Sequence, residues 1–297
     1  MKSAVSLIKR NSKMFFKDKG MFFTSLITPL ILLVLYATFL ANVYKDAFVS
    51  AFPPGFPVDE KLINGTVGGQ LVSSLLAVCC ITVAFCSNLL MVQDKISGAH
   101  RDLTMTPVKS SVLSLSYFVS TAAVTFIISL TALGAGLIYI AFTGWYLSFA
   151  DVTLLLLDVI ILVLFGTSLS SVIICNLSTN GQASAVGTII SAGYGFICGA
   201  YMPISSFSEG LQKVIAFLPG TYGTSLLRNH ALSGVFEEMK SQHYPDEVIS
   251  GLRDAVDCNI YFFDSKVPLP VMYLVLVAST LAVTVGYIAI CKLRKKK

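Results

Sequence analysis

Residues able to do chemistry are scarce in this chain, and their spacing argues against catalysis. The three histidines, His100, His230 and His243, fall outside the long apolar stretches, and none stands at metal-ligand spacing from a Glu or Cys. No H-E-x-x-H motif occurs, and no G-x-x-x-x-G-K-[ST] loop that could cradle ATP phosphates. Serines are plentiful, but no histidine is embedded beside them to act as a base, so they point to close helix packing. Asp158 is the acid set deepest in an apolar stretch. An intramembrane carboxylate is a functional candidate by default. It could contact a substrate or ion, or serve the structure by snorkelling or pairing with another segment. Asn88, Asn180 and Gln182 lie near the ends of apolar stretches and fit helix caps or interhelical hydrogen bonds. Six of the seven cysteines, Cys79, Cys80, Cys86, Cys175, Cys198 and Cys291, lie in or at the ends of those stretches; Cys258 lies in a loop. They read as small apolar residues rather than as a disulfide or metal scaffold.

The elements that must position these groups are long and apolar. Of the 297 residues, 55% are hydrophobic and 12% charged, and the mean hydropathy is +0.78. A soluble domain carries about 25% charged residues, so most of this surface is not built for water. Six stretches near 21–43, 68–92, 112–141, 151–175, 182–203 and 269–291 approach or exceed the ~20 residues that cross a bilayer as a helix. They lack the ~10-residue alternation of transmembrane strands. The expected fold class is therefore all-α, a single transmembrane domain over residues 1–297 with six transmembrane helices. Of the 21 Lys and Arg residues, 14 fall before the first stretch, between the second and third, or after the sixth. The positive-inside rule then places both termini in the cytoplasm of a multi-pass cell-membrane protein. The net charge of +5 reads as this asymmetry, not as nucleic-acid binding. The first residues do not resemble a cleavable signal, because the charged region is too long and no small-residue site closes the first stretch.

Between the stretches the chain is uneven. Residues 1–20 mix Lys and Arg with Val5, Leu7, Ile8, Met14, Phe15 and Phe16, the pattern of an interfacial amphipathic helix. It reads equally as a topogenic basic tail or as a lever to a cytoplasmic partner. The loop Tyr44–Val67, with PPGFP at 53–57, is expected to be irregular and exposed. The segment Gln93–Val112 carries Asp94, Lys95, His100, Arg101 and Asp102, with Gly98 as a flexible point and Pro107 before the third stretch. A short helix at Ser97–Met105 would expose Leu103 and Met105 beside Arg101; the plain alternative is an ordinary loop. After the fifth stretch, Leu211–Leu218 is too short to cross and is broken by Pro203, Pro219 and Gly220. The segment 204–268 therefore reads as a re-entrant helical hairpin followed by a small acidic cap, Val235–Val267. No internal repeat of the kind common in secondary transporters is visible.

At this level the chain resembles the membrane subunit of type-2 ABC exporters, the permeases related to ABCG half-transporters. The likeness rests on three features: the amphipathic N-terminus, the run Asp94–Lys95, Gly98, Arg101–Asp102–Leu103 and Thr106–Pro107–Val108, and the run Pro203–Ile204–Ser205, Leu218–Pro219–Gly220–Thr221–Tyr222 and Leu227–Arg228 to Gly234. The family often has Glu-Arg-Glu where this chain has Gln93–Asp94–Lys95, and the acidic cap is longer than in the simplest members.

The resemblance implies a partnership and a set of sites. Two permease chains, a homodimer being favoured over a heterodimer, would join two ABC ATPase subunits. ATP and Mg would be bound by those partners, so this chain would hold no cofactor and catalyse nothing itself. Residues 93–107 would be the coupling helix, with Asp94, Lys95, Gly98, Arg101, Asp102, Leu103 and Pro107 engaging the ATPase. Ser73, Ser74, Cys79 and Ser87 with Gly187, Ser191, Gly195 and Gly199 would line the pathway. Phe207, Leu211, Phe217, Tyr222 and Arg228 would form an outer lid, although aromatic residues there equally suit anchoring at the membrane interface. The implied cargo is amphipathic: a drug, lipid or peptide. An ion-coupled carrier using Asp158 is the competing reading.

Overall fold

The computed structural model describes residues 2–50, 59–263 and 265–294, so the PPGFP segment lies outside the described residues. The chain opens with α1 (Lys2–Lys17) and α2 (Lys19–Leu35). A π-helical turn (Tyr36–Leu40) carries α2 into α3 (Ala41–Ser50). Helix α4 (Glu60–Asn88) runs almost straight into α5 (Leu90–Ile96); α6 (Ala99–Met105), α7 (Ser110–Thr143), α8 (Phe149–Ile174) and α9 (Asn180–Ile197) follow. A 3₁₀ turn (Ile204–Ser206) leads to α10 (Glu209–Ala216), α11 (Pro219–Ala231), α12 (Ser233–Ser241) and α13 (Asp246–Ala255). A small hairpin, β1 (Tyr261–Phe262) and β2 (Ser265–Lys266), precedes α14 (Leu269–Arg294).

Among the described residues, five helical stretches are long and apolar enough to cross a membrane: Lys19–Asp46, Glu60–Ile96, Ser110–Thr143, Phe149–Ile174 and Leu269–Leu293. The expected fifth span corresponds to α9, an 18-residue helix shorter than the 182–203 stretch. Its Asn, Gln, Gly and Ser residues dilute its hydropathy, and the chain breaks at Gly199, which holds left-handed backbone (φ 74). The all-α expectation agrees with the architecture; the count of six spans is not established by length and composition.

The core is organised around α4. This helix is apolar or small on every side, the pattern of a helix buried all round, and α2, α7, α8, α9 and α11 surround it. Small residues let these neighbours close in, as in membrane bundles. A Cβ at Gly166 of α8 would sit 2.8 Å from the Cys80 carbonyl oxygen, and one at Gly69 would sit 2.9 Å from that of Ala231. Short links set the antiparallel order. The α7–α8 turn ends in a capping box, with Ser148 accepting from the Asp151 N–H at 3.2 Å and Asp151 accepting from the Ser148 N–H at 2.9 Å. Asn88 makes the interhelical bonds expected of it, donating to Ser170 and Ser171 at 3.2 and 3.0 Å. Gln182 sits in a cap at the start of α9, accepting from the Ser178 N–H at 2.9 Å.

One end of the bundle carries α1, α5, α6 and the C-terminus of α14; the other carries α3 and α10–α13. At this cap end the expected open loop is corrected. Tyr44–Ser50 and Glu60–Val67 are helical, and Tyr44, Phe48, Leu62 and Ile63 are buried. Their apolar side chains pack with Val235, Phe236, Met239, Ile249 and Leu252, so the cap shares one core with α3 and α4. Burial of that shared face outweighs the local turn tendency of the loop.

Candidate functional site

The residues singled out on the sequence fall into two places. At the α1 end, Gly98 holds left-handed backbone (φ 84) and divides Gln93–Val112 into α5 and α6. Glycine takes this conformation at no steric cost, so the sequence permits an elbow there. Helix α6 is therefore two residues shorter than the expected Ser97–Met105. On α6, Met105 is 71% exposed and Arg101 and Asp102 face outward. Leu103, expected beside them, instead packs partly against the core. Thr106 and Pro107 end the elbow in extended and bent backbone before α7.

Asp94 and Lys95 do not lie on this outward surface. Asp94 is buried and accepts a bidentate pair from Arg10 of α1, Nη1 at 2.5 Å and Nη2 at 2.8 Å, together with the Tyr117 hydroxyl of α7 at 2.5 Å. The fork geometry suits arginine to this carboxylate. The pairing holds the Arg10 guanidinium above its already high pKa. Lys95 donates to the carbonyls of Cys175 and Leu177, 2.7 Å each, at the C-terminal end of α8, where a cation meets the helix dipole. Both side chains thus join the elbow to α1, α7 and α8. Elsewhere on α1, Val5, Met14 and Phe16 are exposed, while Phe15 and Asn11 are buried.

At the cap end, the resemblance implies Arg228 in an outer lid, and the structure buries it. Arg228 is fully buried and gathers four elements. It donates to Asp257 of the cap at 2.8 Å, to Ser74 of α4 at 3.3 Å and to the carbonyl of Gly199 after α9. With its amide turned so that the oxygen meets the guanidinium, Gln70 would accept at 3.2 Å. Asp257 also accepts from the Ile204 N–H at 3.0 Å. Tyr36 and Tyr44 stack beside this hub, with ring centroids 5.7 Å apart. A buried charge must be paired, so the guanidinium stays inside and cannot face a lid surface. Tyr222 is likewise buried, donating to the Ala216 carbonyl at 2.6 Å. Phe207 is half-buried, and only Leu211 and Phe217 of the lid set are exposed.

The residues expected to line a pathway divide as well. Ser73, Ser74, Cys79 and Ser87 are buried within the chain. Gly187 and Ser191 line an open groove of about 520 Å³ between α2 and α9, with Thr24, Ile27 and Ile31 opposite and Cys86 of α4 among its lining. Gly195 lies against the Tyr201 ring, and Gly199 belongs to the Arg228 hub. Asp158 is not in this groove. It accepts from the Tyr273 hydroxyl and pairs with Nδ1 of His230, each at 2.5 Å, tying α8 to α14 and α11.

Residues 3–231 match the family described as ABC-2 type transporter. The chain belongs to the ABC-2 type transporter family. No curated protein matches it. As an ABC-2 chain it is the multi-pass transmembrane part of an ABC transporter, and the family works with an ABC ATPase. The match ends at Ala231, so it covers α1, the elbow and the Arg228 helix but not the cap.

Sequence reasoning does not find Arg10, Tyr117, His230, Tyr273, Asp257 and Gln70 as partners. Arg10 and Asp94 stand 84 residues apart, and Arg228 and Gln70 sit on separate helices. No spacing rule joins such pairs. A buried acid without a neighbour in sequence is the one available signal that a remote partner exists.

Proposed function

We propose that two copies of this chain, with two ABC ATPase subunits, form an exporter for an amphipathic cargo such as a drug, lipid or peptide. Both termini and the elbow lie in the cytoplasm in this reading, and ATP with Mg is bound by the ATPase alone. The observation that carries the reading is the elbow of an ABC-2 chain. Its outward half, Arg101, Asp102 and Met105 of α6, is free to meet a partner. Its inward half, Asp94 and Lys95, is bonded to α1, α7 and α8. A push on α6 therefore reaches three further helices through charge-assisted bonds rather than through a slack loop.

The pathway in this reading runs between the two chains, along the α2–α9 groove with its small Gly187 and Ser191. Helix α9 is mostly exposed in the single chain, as an element awaiting a second copy would be. The competing ion-coupled reading needs Asp158 to be available to an ion. Its two partners within one chain speak for a structural role instead.

Arg101→Glu tests the coupling role. The ATPase is expected to dissociate during gentle extraction from native membranes, while insertion and folding of the permease stay intact. Unchanged co-purification would remove the elbow from the interface.

A further inference from the structure

A cavity of about 200 Å³ lies beneath the elbow, bounded by α5, α6, α7, the end of α8 and α14. It is smaller than the ~300–1,000 Å³ of pockets that enclose drug-sized ligands, so it suits a small group and not a cargo molecule. Its wall selects the charge of that group. Lys95 brings an ammonium that two carbonyls hold at 2.7 Å each. His100 brings an imidazole whose Nδ1 is buried and has no hydrogen-bond partner among the described residues. Ser110 and Ser114 add hydroxyls. No Asp or Glu lines the cavity among the described residues. Asp94, beside Lys95 in sequence, is already committed to Arg10 and Tyr117. Lys109 and Lys292, both exposed, stand next in sequence to the lining residues Ser110 and Cys291 and add positive charge. The imidazole with the thiols of Cys175 and Cys291 does not make a metal site, since no group of three such ligands able to hold an ion occurs among the described residues. An unbonded imidazole nitrogen beside a fixed cation, in a cavity without acids, fits an anion with several acceptor oxygens.

Position narrows the anion further. Lys95 is the last residue but one of the Glu60–Ile96 stretch, and Ser110 is the first of α7. Cys175 directly follows α8, and Cys291 lies in the last turn of α14. The ends of four stretches long and apolar enough to cross a membrane therefore meet at this cavity. Phosphate headgroups begin at that level of a bilayer, and basic pockets between helix ends are where they are held. Exposed Leu115 and Ile288 give the outer surfaces of α7 and α14 the apolar character that acyl chains require.

We propose that this cavity binds a phosphate group, held by Lys95, His100 and Ser110 and supplied by the headgroup of an anionic lipid or by free phosphate. A group seated there touches α5, α6 and α7 together and braces the elbow from within. The assignment holds whether or not α6 meets an ATPase, so the two readings fail separately.

The chain has three histidines, which permits a direct measurement. The full chain, isotope-labelled at histidine, is held in dodecyl maltoside, a detergent without phosphate. Dioctanoyl phosphatidylglycerol is expected to move the His100 nitrogen signals toward the protonated form. Burial and Lys95 hold this imidazole below the usual histidine range, and a bound anion offsets both. Exposed His243, at the cap end, is expected to stay unchanged. The same shift with inorganic phosphate would identify free phosphate as sufficient; a shift with the phospholipid alone would identify the lipid headgroup. A shift shared by His243, an equal shift with phosphate-free dioctanoylglycerol, or no shift with any probe would each overturn the proposal. Lys95→Gln is expected to weaken binding about fivefold. Ser110→Asp keeps the fold, because Ser110 is exposed and an acid suits the first turn of a helix. Its carboxylate repels phosphate and should abolish the shift, so a Ser110→Asp chain that binds as the parent does would also overturn the site.

Discussion

Two Arg–Asp pairs stand at opposite ends of this molecule, each beside tyrosine, and they differ in access to water. At the α1 end, the Arg10 side chain keeps 29% of its surface exposed while Asp94 is buried. At the cap end, Arg228 and Asp257 are both sealed, at 1% and 5%. A pair open on one side can exchange protein partners for water at modest cost. A sealed pair cannot, because parting it strands a charge in the interior. The first is a half-open joint between α1 and the elbow. The second is a pin that fixes α4, the end of α9, α11 and the cap to one another.

The comparison breaks most visibly at the pin. Arg228→Gln leaves Asp257 buried without its cation, at a cost of about 3–5 kcal/mol. Thermal unfolding in detergent is expected to begin roughly 10 °C lower for a chain of this size. Adding Asp257→Asn to that variant should restore part of the loss. A single variant as stable as the parent would show that the hub is wet and the contrast false. At the joint, Asp94→Asn weakens three hydrogen bonds without stranding a sealed charge, since Arg10 can turn to water. The expected loss is about 1.5–3 kcal/mol. Hydrogen exchange should rise in α1 and α5 while the cap stays protected.

Gly98→Ala sharpens the reading of the joint. A Cβ there meets nothing within 4 Å, so any effect comes from the left-handed backbone. The expected cost is about 1 kcal/mol. Stimulation of the ATPase by the permease should fall while insertion is unchanged. The smallest effect concerns pH. Burial, then the neighbouring Lys95, holds the His100 imidazole below the usual histidine range. The fold therefore favours neutral His100. That preference costs nothing above the unfolded value of about 6.5 and weakens the fold as pH drops below it. The unfolding temperature should fall by roughly 1–2 °C between pH ~7.5 and ~5.5, and His100→Asn should flatten this slope.

Much of the architecture is legible in the sequence alone. Hydropathy and run length mark the five long apolar helices, because crossing hydrocarbon demands an unbroken apolar helix and the residues state that directly. Gly98 marks a flexible point in the sequence, and the left-handed turn it takes there is one that glycine adopts at no steric cost. The interrupted run from Gly199 to Gly234 announces short helices through Pro203, Pro219 and Gly220. Tertiary structure decided everything that depends on remote pairing. It turned Asp94 and Lys95 inward, sank Arg228 and Tyr222, gave Asp158 its imidazole and hydroxyl, and folded the expected loop around Tyr44 into a shared core. The reason is physical. Length and polarity are local and additive along the chain, whereas the partner of a buried charge is set by which helices touch, and that is fixed only when all of them pack.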